Sequence, residues 1–366
     1  MLQLSLHSVH QKRGAQFAPY GEWELPERYQ DPLLEYRAVR ENVGLADLSY
    51  QGTFLISGKD RTSFLQNLIS NDLTGFSEGR GIYSTLLTAK GRVIADFYLY
   101  PVPEAMLMDL EGSNAEKTRQ HLMRYRLRAQ VKIETPPWGR VLIAGPHAKR
   151  VLDGLSAENW PPMAEKSILH REIDGFPLVC VRRSMTGEED YHLYVPEEGM
   201  ERIWEKLLSI GNPFDMLPIG QAALEMLRVE AGKPRYGPDI DEQIIPIEAG
   251  LGTEAISYTK GCYPGQEVMA RIQTYGHVNK HLFGLVIEGE TLPKKDDKVF
   301  QGDQELGWVT SAIRSPLLGK IIAMGYLRPQ IAVPGAAVEV EVNQVRTPAQ
   351  AVPLPFYRRK APVSTV

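Results

Sequence analysis

Apolar positions along the chain alternate between strand-like and helix-like spacing, and the pattern divides it into an arm, two mixed units, an irregular stretch and a run of short strands. The first segment, through about Leu48, mixes aromatic and charged residues around one helix over 32–41, closed by Gly44. It reads as an N-terminal arm that packs on something larger. Residues 53–57 form a short apolar strand, and Asp60 suits the N-cap of a helix whose Phe64, Leu65, Leu68 and Ile69 share one face. Strands over 83–88 and 92–100 are joined by Ala89-Lys90-Gly91, with glycine where a hairpin tolerates positive φ. A strand over 105–110 and a helix over 115–128 complete a compact α+β unit that closes before Pro136-Pro137.

A second unit of similar style has strands over 140–144, 176–181 and 191–195, then helices over 200–210 and 219–231 stopped by Gly211 and Gly232. From Lys280 onward short strands over 281–287, 306–312, 321–326 and 338–342 are separated by Gly, Asp and Pro, the spacing of a small antiparallel barrel. Between these halves lies the least regular stretch, 236–279.

A chain of 366 residues is too long for one core to grow efficiently, which agrees with two or three domains. With 41 basic and 45 acidic side chains the formal charge is −4, so there is no electrostatic footprint for nucleic acid and no polybasic membrane anchor. No run reaches the roughly 18 apolar residues of a membrane span, and the start lacks a signal-peptide pattern, so a cytoplasmic protein is expected. Two cysteines cannot build an all-cysteine zinc or iron–sulfur site within one chain. The 8 histidines show no ligand spacing on a helix, and no metal site is expected. Gly-x-Gly-x-x-Gly and Walker-type phosphate loops are absent as well.

Candidate chemistry falls on a few positions. Cys180 lies in an apolar run and reads as core. Cys262 sits in a glycine-flanked loop two residues after Lys260, whose ammonium favours a thiolate. The loop suits either a reactive or ligating thiol or a small residue packed under a turn. Glu230 ends a helix, where the dipole disfavours a carboxylate; either Arg228 compensates it or it accepts hydrogen bonds from an amino-pyrimidine ring. Asp96 interrupts a mostly apolar strand, as a solvent-facing charge or, if buried, as a general base or proton relay. Asn71-Asp72 and Thr186-Gly-Glu-Glu-Asp190 read as polar turns.

Taken in order, several blocks resemble the glycine-cleavage T-protein (aminomethyltransferase) superfamily over nearly the whole chain. They include Glu35-Tyr-Arg-Ala-Val-Arg-Glu-Asn-Val-Gly44, Phe64-Leu-Gln-Asn-Leu-Ile-Ser-Asn-Asp72, Thr186-Gly-Glu188, Leu227-Arg-Val-Glu-Ala-Gly232 and Leu306-Gly-Trp-Val-Thr-Ser311. One further block, Lys260-Gly-Cys-Tyr-Pro-Gly-Gln-Glu267, resembles the signature of the YgfZ-type branch, folate-binding proteins that assist iron–sulfur cluster assembly or repair. The resemblance implies an α+β fold of three lobes around a central folate hole. Its lobes are a discontinuous central lobe over 1–50 and 138–250, an inserted lobe over 51–137 and a barrel over 280–362, with a signature loop region over 251–279 between the central lobe and the barrel. It also implies tetrahydrofolate in the hole, with Glu230 at the pterin, Lys260 near the folate and Cys262 as the critical thiol.

The expected function on this basis is a tetrahydrofolate-binding accessory protein for iron–sulfur clusters, with client or assembly proteins as partners. The alternative is a folate-dependent aminomethyl or methyl transferase in which Asp96 manages the proton at the folate nitrogen. Departures from the transferase branch fall at Ala95-Asp96 in place of an Asp-Asp pair, at Glu111 in place of an asparagine near the folate, and at Met185 in place of an aromatic residue.

Overall fold

The computed structural model of the chain describes residues 1–76 and 79–359; positions 360–362 of the expected barrel range lie outside them. Its architecture is α+β, in three lobes, the last a closed barrel of six strands. No helix among the described residues is long and apolar enough to cross a membrane.

The arm enters the central lobe through one strand. Asp31 accepts a hydrogen bond from the Leu33 backbone N–H at 3.0 Å, and Pro32 sets the first turn of the helix Pro32–Glu41. The buried Glu35 on that helix accepts from the N–H groups of Tyr29, Gln30 and Gly220, so it also holds the start of the helix Gln221–Glu230. Gly44 does not close the first helix. It opens the buried strand Gly44–Asp47, where a Cβ would lie 2.6 Å from Val39 Cγ2, and Asn42 ends the helix instead. This strand pairs with Trp138–Ala144 in register Leu45↔Ile143, which makes the central lobe discontinuous in sequence. Its six-stranded sheet runs Ile168–Ile173, Phe176–Arg182, Asp190–Pro196, Trp138–Ala144, Gly44–Asp47, Leu217–Pro218. His10 is buried, with its ring 3.0 Å from Asp47 Oδ2 and 2.9 Å from the Tyr29 hydroxyl, so the arm is anchored in the core.

Between the two halves of that lobe, a five-stranded sheet runs Ile82–Leu87, Val93–Val102, Ala105–Leu110, Gly52–Ser57, Lys132–Glu134. Side chains alternate across a strand, and here the two faces differ in kind. Ala95, Phe97 and Leu99 enter a core with Phe54, Leu65 and Leu86. Tyr98 and Tyr100 leave by the other face, where Tyr100 and Leu107 pack on Ile168, Val181 and Tyr194 of the central sheet. Gly91 at φ +72° turns the hairpin as its position in the sequence requires.

Two expectations fail locally. Asp60 makes no cap bond to its own helix, which is only Arg61–Gln66; its carboxylate accepts from the Gln130 N–H at 2.7 Å and ties down the chain before Lys132–Glu134. The stretch 236–279 contains a helix, Gln266–Tyr275, bounded by Gly265 at φ +83° and Gly276 at φ +72°. Only Met269 of this helix is buried, so its apolar periodicity in the sequence is weak.

The seam between the two sheets holds a buried ion cluster. Asp109 receives Arg140 on Oδ1, and on Oδ2 both Arg183 and the Tyr194 hydroxyl, each at 2.7 Å. Asp109 is 1% exposed. Replacing it by alanine leaves two buried guanidinium groups without a counter-charge, a loss of about 3–5 kcal/mol. We expect Asp109→Ala to lower the thermal unfolding midpoint accordingly, and an unchanged midpoint would exclude the cluster as a tie between the lobes.

Candidate active site

The polar face of the inserted sheet looks into a cavity of about 850 Å³ that is also lined by the central lobe, the connector and the barrel side. Strand register decides which residues arrive there. Tyr83 pairs with Tyr98, and Tyr98 with Asp109, giving one row across three strands. The next row holds Thr85 opposite Asp96; one step beyond the last pair, Phe97↔Leu110, brings Glu111 alongside Asp96. Gly52↔Leu110 likewise places Gln51 alongside Glu111, and Gln51 Nε2 donates to Glu111 Oε2 at 3.2 Å. Asp96, Glu111 and Gln51 all line the cavity.

Asp96 is half satisfied. Its Oδ2 accepts from the Tyr83 hydroxyl at 2.7 Å, while Oδ1 is buried with no hydrogen-bond partner among the described residues. Burial pushes its carboxyl above the usual range, opposed by the Tyr83 hydrogen bond and by the Arg183 charge. Arg183 lies over the Tyr98 ring at 4.3 Å from its centroid, and Tyr98 packs on Tyr83 with centroids 4.6 Å apart. Burial raises the Glu111 carboxyl as well, with Arg235 and Gln51 opposing and Asp96 reinforcing.

Further round the cavity, Met185 and Glu188 come from the turn before the strand Asp190–Pro196. The sequence presents this segment as a polar hairpin, but Thr186, Glu188 and Asp190 are each buried. Asp190 folds the turn by accepting from the backbone N–H groups of Met185 and Thr186 and from the Thr186 hydroxyl. Burial pushes its carboxyl up to about 7. Glu188 Oε1 accepts from Arg40 at 3.0 Å and from the Tyr357 hydroxyl at 2.6 Å, while Oε2 faces only the Arg359 guanidinium, at 3.8 Å.

Glu230 is not a lining residue. Tyr36 and Arg40 donate to Oε2 at 2.6 and 2.7 Å, and the Ser315 hydroxyl and the Leu317 N–H donate to Oε1, so its oxygens are committed to joining the first helix to the barrel. Nor is Arg228 its partner. Arg228 binds Glu225 through both Nε and Nη2, at 2.9 and 2.6 Å, and Asp239 at 2.7 Å. Burial opposes charge on Glu225, but Arg228 and Arg235 outweigh it and hold the carboxyl down at about 2.

Lys260 and Cys262 also lie outside the cavity lining. Lys260 Nζ donates to the backbone carbonyls of Gln66, Ile69 and Asn71 at 2.6, 2.6 and 2.9 Å, closing the C-terminal end of the helix Arg61–Gln66. Burial lowers its ammonium to about 8, with Asp72 opposing. Gly265 packs against the hairpin at Thr88 and Gly91, where a Cβ would meet Thr88 O at 2.8 Å. Tyr263 is buried and Cys262 exposed. The block is thus a clasp between the connector and the inserted lobe, with the ammonium expected to activate the thiol engaged by carbonyls.

Residues 6–260 match the GCVT N-terminal domain, and residues 280–358 the glycine cleavage T-protein C-terminal barrel domain. The chain is 34% identical over 365 residues to the aminomethyltransferase of Cutibacterium acnes, spanning 97% of this chain and 98% of that one. To the aminomethyltransferase of Thermosynechococcus vestitus it is 33% identical over 359 residues, spanning 97% and 95%. The crystal structure of glycine cleavage system aminomethyltransferase T from Bartonella henselae shares the fold, with a TM-score of 0.90 at 23% identity over 97% of this chain and 98% of that one. These full-length relatives overturn the expected accessory role in iron–sulfur assembly, which rested on the Cys262 block alone. The chain belongs to the glycine-cleavage T-protein family, which it matches in both its N-terminal domain and its C-terminal barrel.

Proposed function

We propose that this chain is a tetrahydrofolate-dependent aminomethyltransferase whose reacting centre is at Asp96. The observation that carries the reading is the half-satisfied Asp96 carboxylate, whose buried Oδ1 lacks a hydrogen bond among the described residues, on a residue that lines a large cavity. Aminomethyltransferases use tetrahydrofolate as the one-carbon carrier. The cavity suits such a molecule by size and by its donor set. Tyr83 and Tyr98 add aromatic surface to the lining. Glu188 Oε2, rather than Glu230, is the carboxylate oxygen for the amino-pyrimidine edge, since among the described residues it has the Arg359 guanidinium at 3.8 Å but no hydrogen bond. Met185 adds an apolar thioether to the lining, and Arg358 and Arg359 offer cations for a carboxylate tail.

When bound, tetrahydrofolate supplies the amine nitrogens that receive the carbon of an aminomethyl group, as the donor's carrier and ammonia are released. Two N–H protons then leave the nitrogens: one reaches the carrier's departing sulfur, and the other passes to a base, because an amine bound as an ammonium departs as ammonia without taking one. Asp96 is the carboxylate placed to hold such a proton. Its raised pKa brings it nearer the operating pH, which is where a general base or relay works best. Tyr83 fixes the carboxylate in one orientation, and Arg183 limits how far burial shifts it.

Three outcomes test this. Asp96→Asn is expected to lower kcat for methylene-tetrahydrofolate formation from a thioether-borne aminomethyl donor by about 10²–10⁴-fold, with tetrahydrofolate binding retained; undiminished turnover excludes the role. Because the ionised form of Asp96 is the active one, turnover is lost as pH falls through its raised pKa. Tyr83→Phe removes a hydrogen bond that favours the ionised form and so moves this acidic limb to higher pH. An unmoved limb in the pH–rate profile would separate Tyr83 from the titrating group. Cys262→Ser, at an exposed position outside the lining, is expected to keep turnover within about twofold; a loss as large as that of Asp96→Asn would return the thiol to the chemistry.

A further inference from the structure

We infer that Glu111 is the specificity residue for the donor: beside Asp96 it binds the cationic amino end of the aminomethyl group, so the co-substrate is recognised as a small ammonium. This rests on the transferase reading above and adds the group that selects its second substrate.

The geometry is a pair of acids in one cross-strand row. Asp96 and Glu111 stand one step beyond Phe97↔Leu110 on adjacent antiparallel strands, and both line the cavity. Like charges side by side in a sheet destabilise it, and neither carboxylate is neutralised by an ion pair. Arg183, whose charge acts on Asp96, and Arg140, whose charge acts on Glu111, are both bound to Asp109. Arg235, which also acts on Glu111, donates to the Tyr20 hydroxyl and lies 3.5 Å from Glu225. Among the described residues, Glu111 is left with one neutral donor, Gln51 at 3.2 Å on Oε2, and no partner on Oε1. Asp96 Oδ1 is bare as well. The row therefore presents Glu111 and a surplus of negative charge to the cavity, with Asp96 Oδ1 as a second, buried acceptor beside it.

A primary ammonium complements this arrangement. It carries three donors on a compact charge, so it can meet Glu111 Oε1 and a second acceptor together. An aminomethyl donor has such a group on the carbon that is transferred, and the same nitrogen leaves as ammonia. Holding it at Glu111 brings the transferred carbon next to Asp96. Both events then occur within one row of the sheet. A neutral side chain at position 111 could hydrogen-bond the amine but would not select its charge.

The test uses the full chain saturated with tetrahydrofolate, titrated with methylammonium chloride at constant ionic strength and followed by NMR. Wild type is expected to bind methylammonium, and Glu111→Gln to bind it about 10- to 100-fold more weakly, the range of a charge-assisted hydrogen bond. Tetrahydrofolate affinity and the unfolding midpoint should stay unchanged, and the donor KM should rise with kcat little altered. Equal methylammonium affinity in the two proteins overturns the proposal, and so does a loss confined to tetrahydrofolate affinity. Failure of the transferase reading would appear separately, as full turnover in Asp96→Asn, because the methylammonium titration does not require turnover.

Discussion

The buried contact of Asp109 with Arg140, Arg183 and Tyr194 sets the conditions for everything around it. It fastens the inserted sheet to the central sheet at the seam where the cavity begins. It also takes up both guanidinium groups that would otherwise neutralise the neighbouring acids. With those cations engaged, Asp96 keeps an oxygen without a partner and Glu111 keeps one held by a neutral amide alone. A structural ion cluster therefore creates the electrostatic deficit beside it, and the chemistry of the cavity depends on how completely that cluster holds its charges.

A second joint works by the same logic at the opposite end of the chain order. Arg40 donates to both Glu188 and Glu230, and Tyr357 and Ser315 complete the set from the last strand's outlet and from the barrel. Of the two carboxylates, Glu230 is saturated and Glu188 is not. Burial alone does not tell them apart, since both are nearly inaccessible. Partner count does.

Much of the architecture was legible because the inserted lobe and barrel follow period-two patterns bounded by glycine and proline, and because family blocks recur in order. The strand 105–110 and the strand 281–287 are found where the pattern placed them. Asp96 drew attention for a sound reason, a charge in an apolar strand. Asp109 carries the same signal, two positions before Glu111 in Met106-Leu-Met-Asp-Leu-Glu111, but next to the last residue of its strand it reads as a polar end. Glu230 and Lys260 were misplaced for a different reason: motif position names a residue but not its partners, and both side chains turn toward backbone or neighbouring helices. The Cys262 block is the most distinctive string in the sequence, and in the structure most of it packs. Lys260 closes a helix, Tyr263 is buried and Gly265 allows a close backbone approach.

The two-faced strand Val93–Val102 separates tasks that are usually entangled. Ala95, Phe97 and Leu99 pack into the core, Phe97 also touching the cavity's edge, whereas Asp96 and its neighbour Glu111 belong to the cavity lining. Substitutions on the polar face can retune the substrate without disturbing the packing that defines the lobe, and the reverse also holds. A lineage could exchange an amide for an acid at position 111 in a single replacement and acquire a different appetite for charge while keeping the same scaffold.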